Sequence, residues 1–289
     1  MIFNIRYYII TIMIIFISLG IGILIGFNMN GREIFLEQQQ ELVNNLEYRF
    51  NELKFENTNL QNTIEELALK RGVSEQFIGE IYHEIVNDKL VGFNIAIIQT
   101  TEHYYYYNIK ETLEEAGATV PLHIILSDKI MNIDIQGLDY INNFLGSKLS
   151  KEEIFHQINN DIVELLINNI ITNLMSFMID NEFISLLYYH ENPEPIGQIV
   201  IAGGSFDENI RNSSILEAGL INLLLLNNIR VVGVERLEVL HSSIPLYVKK
   251  GISTIDNIDT LFGRISLVFV IKGKEGSFGE KSFAEKLIP

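Results

Sequence analysis

Three features of the chain predict an α/β protein held to a membrane by an N-terminal helix. No side chain from Tyr7 to Phe27 is charged. Apolar residues repeat every seven positions from Leu36 to Leu67, and beyond residue 90 short apolar runs alternate with amphipathic ones. These patterns divide the 289 residues into an anchor (1–30), a parallel coiled-coil stalk (31–72) and a helical connector (73–89). A Rossmann-like three-layer domain with a mainly parallel sheet (90–289) follows.

The anchor rests on length. Twenty-one residues at about 1.5 Å each cover about 30 Å, the thickness of the hydrocarbon core. Within it, LGIGILIG (19–26) contains a GxGxxxG that resembles a dinucleotide loop. Such a loop needs a strand of ordinary length before it, a helix after it and an acidic residue about 20 positions on. The run before Gly20 is too long for a buried strand, and the exit is polar and heptad-patterned. A secretory signal has a shorter apolar centre and a small-residue cleavage site, which FNMNGRE does not supply. Ser18, Gly22 and Gly26 lie four apart on one face, where small residues let two helix backbones approach. Arg6 and the α-amino group precede the helix, whereas Arg32 follows it beside Glu33. The positive-inside rule therefore points to a single-pass protein with a cytoplasmic N-terminus and an extracytoplasmic C-terminal domain.

The stalk is read from its seam. Leu46, Leu53, Leu60 and Leu67 occupy d positions, and Leu36, Val43, Phe50, Asn57 and Ile64 occupy a positions, with Gln39 at the first d. No proline interrupts the run, and Gly72 is expected to stop the helix. An Asn at one a position favours two parallel strands in register, and parallel is the arrangement open to two chains anchored at the same end. The predicted partner is therefore a second copy of this chain. About 32 residues of helix would extend for about 50 Å.

The distal domain opens with VGFNIAIIQ (91–99), a short run apolar on both faces that reads as a buried parallel strand. Tyr104–Ala116 reads as a helix ending at Gly117, and ATVPLHIIL as the next strand, which together make a βαβ unit. Lys151 to Tyr189 reads as largely helical. After NPEP the alternation resumes: strand IGQIVIAGG, helix Ile210–Leu226, strand IRVVGVE. ISLVFVI (265–271), apolar all round, is either a buried helix capped by Asp259 and Thr260, the favoured reading, or a strand.

Composition narrows the function. With 37 acidic and 21 basic residues the chain lacks a basic stripe for nucleic acid, and without cysteine it has no disulfide, thiolate metal site or Cys nucleophile. Ligands of open parallel sheets lie beyond the C-terminal strand ends. The candidate crevice there is Gly203, Gly204 and Ser205, together with Asp256 and Asp259 of STIDNIDT. No Lys or Arg accompanies the glycines, and a turn into a helix capped by Ser205 or Asp207 accounts for them as well. An isolated Asp pair falls short of the oxygens that calcium takes. Tyrosines 104–107 are expected to divide between core and surface. Six scattered histidines form no metal-binding pair, His241-Ser242-Ser243 lacks a nucleophile elbow, and Met175 and Met178 read as core filling. No catalytic constellation and no cofactor is expected.

The anchor NIRYYIITIMIIFISLGIGILIG, the polar QQQELVNNLE stalk, the α/β domain and the tail STIDNIDTLFGRISLVFVIKGKEGSFG resemble the MctB/SteB family. The resemblance implies a bitopic envelope protein with its α/β domain outside the cytoplasm, associated with copper transport or homeostasis or with a division partner. This sequence departs from a copper site, with no Cys, Met cluster or His pair, and its one apolar span with no barrel periodicity does not make a pore. The expected role is a non-catalytic scaffold for envelope or division partners, with copper handling as the alternative.

Overall fold

The computed structural model describes residues 5–191, 194–206 and 211–289, with backbone alone in 28–34 and 211–214. The chain divides into two units, Met1–Ser74 and Glu75–Pro289. The first is helix throughout its described length. Helix α1 (Ile5–Val86) begins with the apolar span Ile5–Phe27 and runs on without a break. It does not stop at Gly72. An isolated glycine costs a helix only about 1 kcal/mol against alanine, and the flanking EELALKR and EQFIGEI segments are good helix formers. The helix ends instead at Asn87–Asp88, where Asp88 takes a left-handed φ of 56°.

The second unit is built on one seven-stranded sheet ordered β3-β2-β1-β4-β5-β6-β7. The strands are β1 (Ile95–Gln99), β2 (Leu122–Leu126), β3 (Ile184–Tyr189), β4 (Gln198–Ala202), β5 (Arg230–Val234), β6 (Ser253–Ile255) and β7 (Ser277–Phe278). Every pair is parallel except β2–β3. Helices join them: α2 (Tyr107–Glu115), α3 (Asp128–Met131), α4 (Ile135–Leu145), α5 (Lys151–Asn168), α6 (Asn173–Asp180), α7 (Arg211–Leu226), α8 (Ile244–Lys249) and α9 (Leu261–Ile271).

The all-apolar strands follow from burial on both faces. Ala96, Ile98, Ile199 and Ile201 pack with α5, α6 and α7, whereas Ile95, Ile97, Val200 and Ala202 pack with α2, α9 and Tyr82 and Val86 of α1. Local signals set several helix starts. Ser150 and Glu153 form a reciprocal capping box at α5, and at α9 the Thr260 hydroxyl accepts from the Gly263 amide.

Three further expectations are corrected. Residues 184–189 form a strand: after Glu182 turns the chain at φ 58°, the β-branched and aromatic ISLLYY pairs antiparallel with β2 at the sheet edge. The helix expected from Tyr104 starts at Tyr107, so Tyr104 and Tyr106 enter the core while Tyr105 and Tyr107 stack outside it. Thr260 is the cap of α9, while Asp259 instead accepts from the Leu237 amide; STIDNIDT opens with strand β6, and β7 extends the sheet beyond it. Asp207 and Ile210 lie outside the described residues.

Candidate functional site

The strand order reverses between β1 and β4, and the predicted glycines lie at that point, directly after β4. Their amides are all used within the chain. Gly203 N–H donates to Val234 O (3.0 Å), Gly204 N–H to Ser243 Oγ (3.1 Å) and Ser205 N–H to His241 O (3.0 Å). The Tyr106 hydroxyl donates to Gly203 O. The glycines are small because the chain packs against them. A Cβ on Gly203 would collide with Tyr247 Oη, and one on Gly204, at φ +103°, would lie 2.7 Å from Val239 Cγ1. Gly233 in β5 serves the same ring, since a Cβ there would collide with Tyr247 Cδ2. The crevice position is thus filled by Tyr106, Tyr247 and Val239.

A polar network extends from this point along the C-terminal strand ends. Buried Glu217 of α7 accepts from Thr100 Oγ1, which follows β1. Burial pushes the Glu217 carboxyl up to about 7, the nearby Glu235 adds to the rise, and the Thr100 hydrogen bond opposes it. Burial also raises the Tyr106 and Tyr247 hydroxyls well above the usual phenol range.

Glu235, directly after β5, is the hub. It is fully buried and accepts from Ser242 Oγ (2.8 Å), Ser243 N–H (2.9 Å) and Lys281 Nζ (2.6 Å). Lys281 also donates to Arg236 O (2.9 Å). One strand further on, Asp256 accepts from the Glu280 and Lys281 amides at 2.7 and 2.9 Å. Gly279 makes that approach possible at φ +136°, because a Cβ there would collide with Asp256 Oδ1. Asp259 accepts from Leu237 N–H (2.8 Å) and lies 3.8 Å from Arg236.

The predicted residues therefore form two groups. Gly203, Gly204 and Ser205 meet Ser243, Tyr247 and His241. Asp256 and Asp259 lie beyond β5 and β6, and Glu235 with Lys281 joins the two groups. Sequence reasoning missed Glu217, Glu235 and Lys281. A signal existed for Glu235: one acid closing the apolar strand IRVVGVE.

Open space lies elsewhere. A hollow of about 180 Å³ sits beside Gln99, Glu102 and Tyr104–Tyr107, below the usual size of a small-molecule site. A cleft of about 380 Å³ opens at the N-terminal strand ends, by Gln198, Arg230, Ser253 and Ser277, the first residues of four strands. Arg230 is there engaged by Glu275 at 3.5 Å. His123 on β2 is buried, with neither ring nitrogen hydrogen-bonded, and burial lowers it to about 4, helped by Lys110. Among the described residues no group of three or more His, Asp or Glu side chains is placed to hold a metal ion. Met175 and Met178 are buried in the core.

In the first unit, the span Ile5–Phe27 is apolar and wholly unburied, as a helix that crosses a membrane would be. The positions of Cβ atoms on Gly20, Gly22 and Gly26 meet nothing within 4 Å, and Ser18 Oγ donates back to Ile15 O at 3.0 Å. The seam residues Leu36, Val43, Leu46, Phe50, Leu53, Leu60, Ile64 and Leu67 are each 53–67% exposed.

No curated protein matches the chain. Residues 1–152 match the family model described as "Copper transport outer membrane protein, MctB". That match takes in the apolar span, the heptad segment and the sheet through β2, and leaves the Glu235–Lys281 network outside it. With more than half of its 289 residues matched, the chain belongs to the MctB family.

Proposed function

We propose that this membrane protein is a parallel homodimer, joined along a coiled-coil stalk, that displays a Rossmann-like, non-catalytic α/β domain as a scaffold for envelope or division partners. The observation that carries the reading is the exposed a/d seam. Fully burying a Leu, Ile, Val or Phe side chain is worth about 1.5–3 kcal/mol, and eight such residues on one helical line leave a single chain with a strong drive to pair. Asn57 at an a position favours two parallel strands, and the open Ser18, Gly22 and Gly26 face supports contact in the bilayer as well. The non-catalytic part is supported by the switch point, where backbone donors are consumed and tyrosines fill the crevice.

Single cysteines test the dimer cleanly, since the native chain has none. Leu46→Cys and Leu53→Cys should each give a disulfide-linked dimer in oxidised, intact membranes, while a cysteine at exposed Asn51 should not. Monomer at both seam positions would sink the proposal.

The family description favours a second reading, copper transport. On that reading the purified full-length protein, loaded with copper and dialysed, retains the metal in stoichiometric amount. Metal-free protein after dialysis is the outcome expected from the scaffold reading.

A further inference from the structure

The heptad register that puts the seam at a and d puts Tyr48, Phe55 and Leu69 at f, with Asn62 completing the series of sevens. At about 100° per residue the f line lies about 170° from the centre of the seam. A second chain on the seam therefore leaves it uncovered. Tyr48, Phe55 and Leu69 are 68%, 70% and 73% exposed. Singly scattered surface apolar residues need no explanation, but f is the position that faces solvent in a two-stranded coil and normally carries polar residues.

The flanks specify what can lie there. Between residues 36 and 69 the b, c and f positions carry Glu37, Glu41, Glu52, Glu65 and Glu66 and no Lys or Arg. Glu52 and Glu66 pair with Arg49 and Lys70 at g, at 3.1 and 2.8 Å, but these are exposed intrahelical pairs that an incoming charge can replace. A second dimer of this chain would bring the same acids against themselves, and an anionic lipid surface would be repelled.

We propose that the outer face of the stalk binds an amphipathic helix of another protein, with apolar residues at heptad spacing flanked by Lys or Arg. The proposal rests on the coiled-coil dimer described above. Apolar anchors supply the contact and the acidic flanks supply orientation and selectivity.

The test uses full-length protein in detergent, locked as a dimer through Leu53→Cys so that the seam is occupied. The probe is a labelled four-heptad peptide with Leu at a and d and Lys at the flanks, alongside the same peptide with Glu flanks. Binding of the Lys peptide should fall at least tenfold in the triple variant Tyr48→Ser, Phe55→Ser, Leu69→Ser, which keeps the charge and the seam. The Glu peptide should bind at least tenfold more weakly than the Lys peptide. Equal binding to parent and triple variant, or no binding to the parent, overturns the proposal. So does association of parent dimers, but not variant dimers, into tetramers, which would assign the line to a second copy. If neither Leu53→Cys nor Leu46→Cys locks a dimer, the dimer reading fails separately, and the same comparison on unlocked protein still decides whether the f residues bind the peptide.

Discussion

Gly279 and Glu235 show how single side chains build the strand-end network. Gly279 is the one residue type that can bring the tail against Asp256, and this places the Lys281 ammonium against the buried carboxyl of Glu235. Glu217 lies in the same network and has a testable titration. Its folded value of about 7 exceeds the usual 4.5, so the native state holds its proton longer than the unfolded chain. Stability from this group is whole below about pH 4.5 and is lost as pH rises to 7, by about 3 kcal/mol for a shift of this size. Glu217→Gln removes that loss. Chemical unfolding should show the variant gaining on the parent between pH 4.5 and pH 8, and a constant difference across that window would contradict the assignment. His123 acts oppositely: its lowered value costs stability as pH falls from 6.5 to about 4. The two contributions can therefore be separated by their direction.

Among the elements, helix α1 was the most legible, because a seven-residue repeat and an uncharged run are local patterns that need no tertiary context. It also carries a test of strand orientation. In a parallel, in-register pair, Arg49 at g faces Lys54 at e of the next heptad of the partner helix, a repulsive contact. Lys54→Glu turns it into an attraction, and if the proposed coiled coil forms, its helical melting temperature should rise by a few degrees. A fall would point to another orientation or register. Strand β3 was illegible for the converse reason. ISLLYY follows two helices without a glycine or proline stop, and its pairing is set by Leu122–Leu126, far earlier in the chain, rather than by its neighbours. Strands β6 and β7, three and two residues long, are too short to show any period.

For the molecule as a whole, membrane attachment follows from the apolar span, and its direction is open to experiment. A single exposed cysteine at Glu111→Cys, on α2, should react with a thiol reagent that cannot cross the membrane when intact cells are treated. Labelling only after lysis would reverse the expected orientation and place the α/β domain on the cytoplasmic side.

The anchor, the heptad line and the buried parallel strands were written in the order of residue types, since hydrophobic periodicity is a property of neighbours along the chain. Where the chain's polar residues meet was not. Glu217, Glu235, Asp256 and Lys281 lie far apart in sequence, and the crossovers of one sheet bring them together at the C-terminal strand ends. In the sequence Gly203 and Gly204 could be read either as amide donors to an anion or, the favoured reading, as a tight turn. They became packing positions because Tyr106, Ser243 and Tyr247 arrive from other connections to occupy the space and the hydrogen bonds.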